Sequence, residues 1–265
     1  MADLKPPSPV RYQHALPPQH HISKAFNLLQ HYSHIPPDQI EPHLRAIRDR
    51  AFAIYSYPCL GRWRFLDLYI TTLPIYPSLL ARIKAGAVFL DAACCVGQVL
   101  RQLAYDGAPQ GNLKGFDLRA EFIELGYEMF GDREGFGGGV WTGDVFTGEG
   151  LEGLEGTVDI VHAASFFHLF GWEEQVRLGC RLVRFFREGG EGAMVVGRQV
   201  GREVPGEEGG RYHHDVASLQ RLWDAIGEKT GTKWLVEAEL EKVLDSLEGG
   251  GEVERWTIRF VVRRV

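Results

Sequence analysis

Two carboxylates, Asp91 and Asp117, stand 26 positions apart, Asp117 at the end of a second short predicted strand and Asp91 at the end of an all-apolar run. Runs of this kind are typical of parallel strands that are covered on both faces. Small residues between Asp91 and Gly97 let the backbone approach a ligand closely, and a helical pattern begins directly after Gly97. The free N–H groups at the start of that helix point back towards the ligand. This order predicts a βαβ unit that holds an adenosine-containing cofactor, with Asp117 near the ribose hydroxyls.

The turn that follows the first strand is poorly suited to a dinucleotide. A pyrophosphate needs the room that spaced glycines provide, and those positions hold Ala93, Cys95 and Gln98. The carboxylate of Asp91 would repel phosphate, whereas it can accept a hydrogen bond from a cationic amino-acid group. S-adenosylmethionine carries such a group and a sulfonium but no phosphate, so these residues favour it over a nicotinamide cofactor. The alternative is a strand, a turn and a helix that only pack together.

Several strings along the chain resemble the class I S-adenosylmethionine-dependent methyltransferases and, more narrowly, the small fungal methyltransferases of polyketide and meroterpenoid biosynthesis. The resemblance covers residues 40–199 in order and rests on FLDAACCVGQ (89–98), AYDGAP (104–109), GFDLRAEFIELGYEMF (115–130), GDVF (143–146), VDIVHAASFFHLFGWEEQ (158–175) and VVGRQVG (195–201). It implies an α/β, Rossmann-like fold with a seven-stranded, mostly parallel sheet and an N-terminal helical cap. One departure is that most class I enzymes have glycine where Ala93 and Cys95 stand, and a bulkier residue there can alter cofactor affinity.

The resemblance also implies which residues contact S-adenosylmethionine. Asp144 would meet the adenine amino group, and Val145 or Phe146 would pack against the ring, because the carboxyl ends of the strands face the crevice in such sheets. The alternative for Asp144 is a cap on the next turn, a common use of aspartate beside glycine. The predicted cofactor-binding residues are Asp91, Ala93, Cys95, Gly97, Asp117, Leu118, Asp144, Val145 and Ser165.

His168 and Arg198 are the residues predicted to act on the acceptor. His168 follows the fourth predicted strand, and a neutral imidazole there can take a proton from a hydroxyl as the methyl group transfers. Its structural alternative is a hydrogen bond to the backbone or stacking on the cofactor. Arg198 follows the fifth strand and can hold an acceptor carboxylate in bidentate fashion or pair with a surface glutamate. Because an ionised carboxylate needs no general base, the two residues imply different acceptors.

An aromatic segment at residues 55–76 precedes the cofactor-binding unit. Aromatic clusters are most often core, yet a lid in this place can supply an apolar pocket to an organic substrate, and both interpretations stay open. His162, inside the fourth strand pattern, is predicted to be a buried, hydrogen-bonded histidine. The residues predicted to contact the acceptor are Trp63, Phe65, Tyr69, Phe167 and Gln199.

Hydrophobic spacing indicates the elements that must position these residues. Helical spacing over residues 23–32 and 37–55 predicts a cap ahead of the first strand. The predicted division is an arm with a helical, aromatic cap at 1–80 and a cofactor-binding methyltransferase domain at 81–265. Beyond the fifth strand we expect a mobile loop at 201–210, a helix N-cap at Asp215, and two final strands at 234–240 and 255–262 that can be antiparallel.

Composition limits the classes of partner. The chain has 265 residues, of which 45% are hydrophobic, and this is enough for a full α/β core. A net charge of -6 with dispersed charges disfavours nucleic acid as a partner. The four cysteines lack metal-ligand spacing, which predicts free thiols and no metal, and no apolar signal region or long apolar span stands in the sequence. We therefore expect a cytoplasmic protein without a membrane partner, with a hydrophobic small molecule as acceptor and the option of a homodimer through the N-terminal segment.

The predicted function is transfer of the sulfonium methyl group to a hydroxyl or carboxyl oxygen of a hydrophobic secondary metabolite, a polyketide or meroterpenoid intermediate. Two alternatives remain open. One is a methyltransferase-like cyclase or isomerase that does not consume the cofactor, because a fold does not fix a function. The other is a noncatalytic partner subunit that keeps the fold.

Overall fold

The structure is a computed structural model that describes residues 12–189, 192–246 and 252–265. Within these ranges the strands form one main sheet and one small hairpin. The strands are β1 (Phe89–Ala92), β2 (Leu113–Asp117), β3 (Gly139–Thr142), β4 (Ile160–His162), β5 (Met194–Gly201), β6 (Gly206–Glu208), β7 (Arg211–His213), β8 (Trp234–Ser246) and β9 (Glu252–Arg264).

The helices of the described residues alternate with the strands after an N-terminal group. They are α1 (Gln19–His31), α2 (Pro37–Ile54), α3 (Pro58–Gly61), α4 (Tyr76–Lys84), α5 (Gln98–Tyr105), α6 (Ala120–Phe130), α7 (Trp172–Phe185) and α8 (Val216–Thr230), with short 3-10 turns at Arg64–Leu66, Tyr69–Thr72 and Phe167–Leu169. Helix α2 begins with Pro37, whose fixed φ suits a first helical position. Helix α8 begins after Asp215, whose side chain accepts a hydrogen bond from the Ser218 N–H at 2.7 Å, so the predicted N-cap is confirmed.

The main sheet has the strand order β3-β2-β1-β4-β5-β9-β8. Strands β1 to β5 run parallel to one another, whereas β9 is antiparallel to both β5 and β8. The predicted α/β fold, its seven-stranded, mostly parallel sheet and its antiparallel final pair are thus confirmed. The strand order reverses between β1 and β4, and in open α/β sheets the ligand crevice lies outside the carboxyl ends of the strands at such a point.

The N-terminal helices form a cap that packs against α6. The core of the cap consists of apolar side chains from α1, α2 and residues 60–68, together with side chains of α6. The chain before α1 is fastened to this cap: the Gln13 N–H donates to the Gly61 carbonyl at 2.9 Å, and the Arg48 guanidinium donates to the Gln13 carbonyl at 2.6 Å. Helix α4 runs through the predicted boundary at residue 80, and the division into two domains stays a prediction.

The region after β5 is more regular than the sequence predicts. Strand β5 continues to Gly201, and β6 forms a hairpin with β7 that begins inside the loop expected at 201–210 and ends beyond it. Its two turn residues, Gly209 and Gly210, have φ of +59° and +76°, the left-handed conformation that a tight two-residue hairpin turn requires. Along the described ranges of the chain, none of the helices has both the length and the apolar character that crossing a membrane requires.

Candidate active site

The turn between β1 and α5 has three residues in the left-handed region of backbone conformation. Ala93 and Cys95 have φ of +56° and +52°, and Gly97 follows with +66°. Glycine reaches this region without strain, whereas any other residue there costs about 1–2 kcal/mol. The chain therefore follows the path of a glycine-rich turn although two of the positions carry side chains. Burial raises the pKa of the Cys95 thiol well above its usual value, so this sulfur is not a nucleophile at neutral pH.

The carboxylate of Asp117, at the end of β2, lies beside this turn. Its Oδ2 accepts a hydrogen bond from the Cys95 N–H at 2.8 Å, and its Oδ1 accepts one from the Arg119 N–H at 3.1 Å. Burial raises the pKa of Asp117 to about 6, although both backbone donors act in the opposite direction. Each oxygen keeps a free lone pair, so the group can accept hydrogen bonds from two neighbouring hydroxyls.

Residues after β2 and β3 frame the same crevice. Leu118 follows Asp117 with 48% of its surface exposed, which is unusual for a large apolar side chain at a strand end and suits contact with a flat ring. The Oδ1 atom of Asp144 accepts a hydrogen bond from the Phe146 N–H at 2.8 Å, so its alternative role as a turn cap is observed. Val145 is buried in the core of the domain, and Phe146 is the more accessible of the two residues predicted to pack against adenine.

One carboxylate oxygen of Asp91 is held by a contact within the protein. Its Oδ1 lies 2.6 Å from Nδ1 of His162, and Nε2 of the same ring lies 2.8 Å from the Tyr69 hydroxyl. All three residues are buried. The prediction for His162 is confirmed, whereas Asp91 is not the openly accessible partner for a cofactor ammonium that the sequence predicts. A signal for this contact was present, because Asp91 and His162 lie near the ends of two predicted strands that are neighbours in such sheets.

Arg198 is held by the cap. Its Nη1 donates to Oδ2 of Asp67 at 2.7 Å, and its guanidinium carbon lies 4.1 Å from the centroid of the Tyr69 ring. The predicted alternative, an ion pair with a surface carboxylate, is therefore the arrangement observed, although the partner is Asp67 and not a glutamate. Ser165 connects the same strand ends: it is exposed, has a φ of +52°, and donates its N–H to the Arg198 carbonyl at 2.7 Å. The side chain of Arg198 stays 17% exposed, so it can reach a ligand.

His168 and Gln199 contribute polar atoms with no protein partner. Burial of the His168 ring lowers its pKa to about 3, and its buried Nδ1 has no hydrogen-bond partner among the described residues. The side chain therefore stays neutral, and it is a much weaker base than the sequence-based prediction assumes. Gln199 is only 1% exposed, and neither atom of its amide is hydrogen-bonded within the described part of the chain. Unpaired buried groups of this kind call for a ligand or a water molecule.

Three of the aromatic residues predicted to contact the acceptor belong to the core instead. Trp63 is 1% exposed, and its indole N–H donates to the Gln13 carbonyl at 3.0 Å. Phe65 is buried in the cap core. Phe167 packs beneath the sheet against Trp223, with 6.1 Å between ring centroids. The core interpretation of the aromatic segment therefore holds for Trp63 and Phe65, whereas Tyr69 lies beside Arg198 at the strand ends.

Comparisons with known proteins agree with this geometry. A family model described as the meroterpenoid methyltransferase N-terminal domain matches residues 11–66. The chain is 39% identical to O-methyltransferase phiE of a fungal species, over 86% of this chain and 80% of that protein. It is 40% identical to O-methyltransferase atr3 of Stereocaulon alpinum, over 87% of this chain and 68% of that protein. It is 38% identical to the Asnovolin E/Chermesin D methyltransferase nvfJ of Aspergillus novofumigatus, over 80% of this chain and 79% of that protein.

The chain belongs to this family of fungal O-methyltransferases. Its fold is that of the S-adenosylmethionine-dependent class: a methyltransferase of that class from Methanosarcina mazei superposes with a TM-score of 0.52 at 13% identity, over 73% of this chain and 99% of the other. TehB from Haemophilus influenzae superposes with a TM-score of 0.51 at 11% identity, over 74% of this chain and 66% of the other. At such low identities these two structures show the shared fold alone.

The residues of this methyltransferase fit S-adenosylmethionine. Asp117 offers two acceptor oxygens for ribose hydroxyls, and Leu118 offers an exposed apolar surface for a flat ring. The turn at 93–97 contains no basic side chain that would select a phosphate. Among the residues that the structure describes, no cluster of three or more His, Cys, Asp or Glu side chains is arranged to hold a metal ion.

Proposed function

We propose that this methyltransferase transfers the methyl group of S-adenosylmethionine to a carboxylate oxygen of a hydrophobic fungal secondary metabolite. Two observations carry the choice of acceptor: the cap holds the cation of Arg198 in place, and burial keeps His168 neutral with a pKa of about 3. A guanidinium can bind a carboxylate through two parallel hydrogen bonds. A hydroxyl acceptor would need a base, and His168 is a poor one in this environment.

The charges near the strand ends also favour an anionic acceptor. After burial, charge interactions with His213, Arg211, Arg255 and Arg64 are the next causes that lower the pKa of His168. Burial also lowers the pKa of His213, so the three arginines are the cations that act on this ring. Such a concentration of positive charge attracts an anion and raises its local concentration. A neutral phenol or alcohol would gain little from it.

The chain's own residues then have separate tasks. When bound, S-adenosylmethionine supplies a methyl group on a sulfonium that leaves as a neutral thioether. Arg198 orients the acceptor carboxylate, which needs no deprotonation because an ordinary carboxyl group with a pKa of about 4 is already ionised at neutral pH. Nδ1 of His168 and the amide of Gln199 can hydrogen-bond to other polar groups of the acceptor. Correct placement of the two reacting atoms supplies much of the rate.

The hydrophobic character of the acceptor is supported by the relatives. One of them is named for Asnovolin E and Chermesin D, and the matching family model is named for meroterpenoids. In this chain, the partly buried apolar side chain of Leu169 packs against the core next to His168, in the 3-10 turn Phe167–Leu169. We therefore expect an apolar molecule that carries one carboxylate.

Methylation of two matched probes tests this proposal. The protein is incubated with S-adenosylmethionine carrying a deuterated methyl group and with either 2-naphthoate or 2-naphthol, which share a ring system and differ in the acceptor oxygen. Mass spectrometry is expected to find the label on the carboxylate, and His168→Asn is expected to retain that activity. Label on 2-naphthol that is lost in His168→Asn would establish a hydroxyl acceptor instead. An altered acceptor without label would indicate a cyclase or isomerase, and a folded protein that does not bind S-adenosylhomocysteine would be a noncatalytic subunit.

The remaining partner and compartment assignments are proposals as well. We infer a reducing compartment such as the cytoplasm, which is supported by four cysteines that form no disulfide: Cys59, Cys94, Cys95 and Cys180. We propose no nucleic-acid or membrane partner, in keeping with the net charge of -6. A homodimer through the N-terminal segment is testable by analytical ultracentrifugation of the full chain.

A further inference from the structure

A row of three polar side chains runs from strand β1 through β4 to the cap. Asp91 and His162 are register partners on these neighbouring strands, and Oδ1 of Asp91 lies 2.6 Å from Nδ1 of His162. An ionised carboxylate can only accept a hydrogen bond, so Nδ1 carries the hydrogen, and in the neutral tautomer Nε2 is left as an acceptor. The Tyr69 hydroxyl, 2.8 Å from Nε2, therefore donates to it. Burial raises the pKa of Tyr69 far above its usual value, which keeps this donor protonated.

The row is buried at positions where apolar side chains could also stabilise the fold. Asp91, His162 and Tyr69 are 4%, 1% and 6% exposed. Burying an ionised carboxylate is unfavourable unless hydrogen bonds compensate, and well-packed apolar side chains of similar volume often stabilise a protein at least as well. The two internal contacts of the row are both hydrogen bonds, and Oδ2 of Asp91 makes none to the residues that the structure describes. Its position at the strand ends therefore indicates a role in the geometry of the site rather than in stability.

Arg198 lies against the cap end of the row, beside Tyr69. The Tyr69 ring lies under the guanidinium at 4.1 Å, and Asp67, two residues earlier in the cap, accepts a hydrogen bond from its Nη1 at 2.7 Å. One short segment of the cap thus contacts Arg198 by a ring face and by a carboxylate. If the Tyr69 ring tilted, the surface on which the guanidinium rests would turn with it. The hydrogen bond to His162 prevents that tilt.

We propose that Asp91, His162 and Tyr69 form a positioning network that sets the orientation of Arg198 towards the carboxylate of the acceptor. Asp91 acts in this network on acceptor binding, through His162 and Tyr69, and not as the partner of the cofactor's ammonium group. This inference rests on the proposed function, because it takes Arg198 as the residue that binds the acceptor.

Three dissociation constants separate this role from a structural one. Tyr69→Phe keeps the ring under Arg198 and removes only the hydroxyl, and Asp91→Asn weakens the other end of the row. Isothermal titration calorimetry gives the Kd of S-adenosylhomocysteine and then, on the loaded protein, the Kd values of 2-naphthoate and 2-naphthol. In each variant the Kd of 2-naphthoate is expected to rise about threefold to tenfold, as for loss of one hydrogen bond. The Kd values of the other two ligands are expected to stay within about twofold.

A double variant and a matched control complete the experiment. Because both changes disrupt one network, Asp91→Asn with Tyr69→Phe is expected to bind 2-naphthoate as the weaker single variant does. Tyr76→Phe is the control, since Tyr76 also lies near the end of the cap and donates its hydroxyl to Asp106, away from the strand ends. It is expected to change none of the constants.

The outcomes that overturn the network differ from those that overturn the proposed function. A loss of S-adenosylhomocysteine binding in Asp91→Asn that exceeds the loss of 2-naphthoate binding, or an equal loss for all ligands, would refute the network alone. If Asp91→Asn does not fold, Tyr69→Phe decides by itself, and an unchanged 2-naphthoate Kd refutes the network. A loaded wild-type protein that does not bind 2-naphthoate refutes the acceptor site and the network together. Failure to bind S-adenosylhomocysteine at all would refute the proposed function itself.

Discussion

The cofactor side and the acceptor side of the candidate site differ in how far apart in the sequence their contacting residues lie. On the cofactor side, Asp117 accepts hydrogen bonds from Arg119, two positions later, and from Cys95, 22 positions earlier. Both donors are backbone groups. The shape of this side is therefore set by one βαβ unit and by the backbone conformation of its turn.

On the acceptor side, side chains meet across the whole chain. Tyr69 and His162 are separated by 93 positions, and Asp67 and Arg198 by 131. These contacts join the cap to His162 at the end of β4 and to Arg198 within β5, so they exist only when the cap is docked. The difference implies that a substitution on the cofactor side has a local effect, whereas one on the acceptor side also acts through the cap.

The largest effect is expected on the cofactor side, for Asp117→Asn. An amide presents one NH₂ group towards the backbone N–H groups of Cys95 and Arg119 and leaves a ribose hydroxyl without its charged acceptor. The affinity for S-adenosylhomocysteine is expected to fall by about 1.5–3 kcal/mol, measured by calorimetry. Binding of 2-naphthoate, measured by fluorescence on the protein without cofactor, is expected to stay unchanged.

Asp224→Asn is the matched control for that substitution. Asp224 lies exposed on α8, where it accepts a hydrogen bond from the Gln220 side chain at 2.8 Å. It is expected to leave S-adenosylhomocysteine affinity unchanged. An Asp117→Asn variant that bound the cofactor as tightly as this control would place the ribose contact elsewhere.

A smaller effect is expected on the acceptor side, for Arg198→Gln. The substitution removes the cation that we assign to the acceptor carboxylate and leaves Asp67, which is 43% exposed, to be solvated by water. The KM for 2-naphthoate is expected to rise roughly tenfold, because one charge-assisted contact of a partly exposed group is lost. Calorimetry should show unchanged S-adenosylhomocysteine affinity.

The sequence separations of these contacts explain how much of the site could be predicted from the sequence. The βαβ unit, the turn at 93–97 and the placement of Asp117 follow from apolar runs and small residues within 30 positions of one another. The predicted roles of Trp63 and Phe167 were wrong because an aromatic residue at an element end packs equally well into a core or a pocket. Tertiary contacts decide between them, and those contacts are not visible in local spacing.

A prediction from residue type alone also fails where burial changes the chemistry of the side chain. His168 has the right type for a general base, but the surrounding protein lowers its pKa to about 3. Asp91 has the right type for an ammonium partner, but a neighbouring strand supplies His162 in register. In both cases the decisive information is the environment of the side chain, which depends on strand order.

The pH dependence of cofactor binding tests whether Asp117 is the acceptor on the cofactor side. The carboxylate of Asp117 must be ionised to accept two ribose hydroxyls, and its pKa in the ligand-free protein is about 6. The Kd of S-adenosylhomocysteine is therefore expected to be constant above about pH 7 and to rise by up to roughly tenfold between pH 7 and 5. Asp117→Asn should flatten this profile. A profile that is already flat in the wild type would show that another group accepts the hydroxyls.

The same group affects the stability of the ligand-free protein with the opposite sign. Its pKa is raised above the value of 3.8 that it has when unfolded, so its favourable contribution is fully present below that value and is lost as the pH rises through about 6. S-adenosylhomocysteine, by favouring the ionised form, is expected to offset that loss. Thermal unfolding at pH 5 and pH 7, with and without the ligand, measures both effects.

The smallest effect is expected for Ala93→Gly, which tests whether the turn stores backbone strain. Glycine removes the strain of the left-handed φ of +56°, which stabilises the folded state by about 1–2 kcal/mol. The greater conformational freedom of glycine in the unfolded chain offsets about 0.5–1 kcal/mol of this gain. The net stabilisation, on the order of 1 kcal/mol, corresponds to a Tm increase of about 2–4 °C for a chain of this size.

Ala104→Gly in α5 is the control, and it is expected to lower the stability by about 1 kcal/mol because the backbone at Ala104 is helical. If both variants lowered Tm, the methyl group of Ala93 would contribute packing that outweighs the strain, and the turn would be optimised for the residue it has.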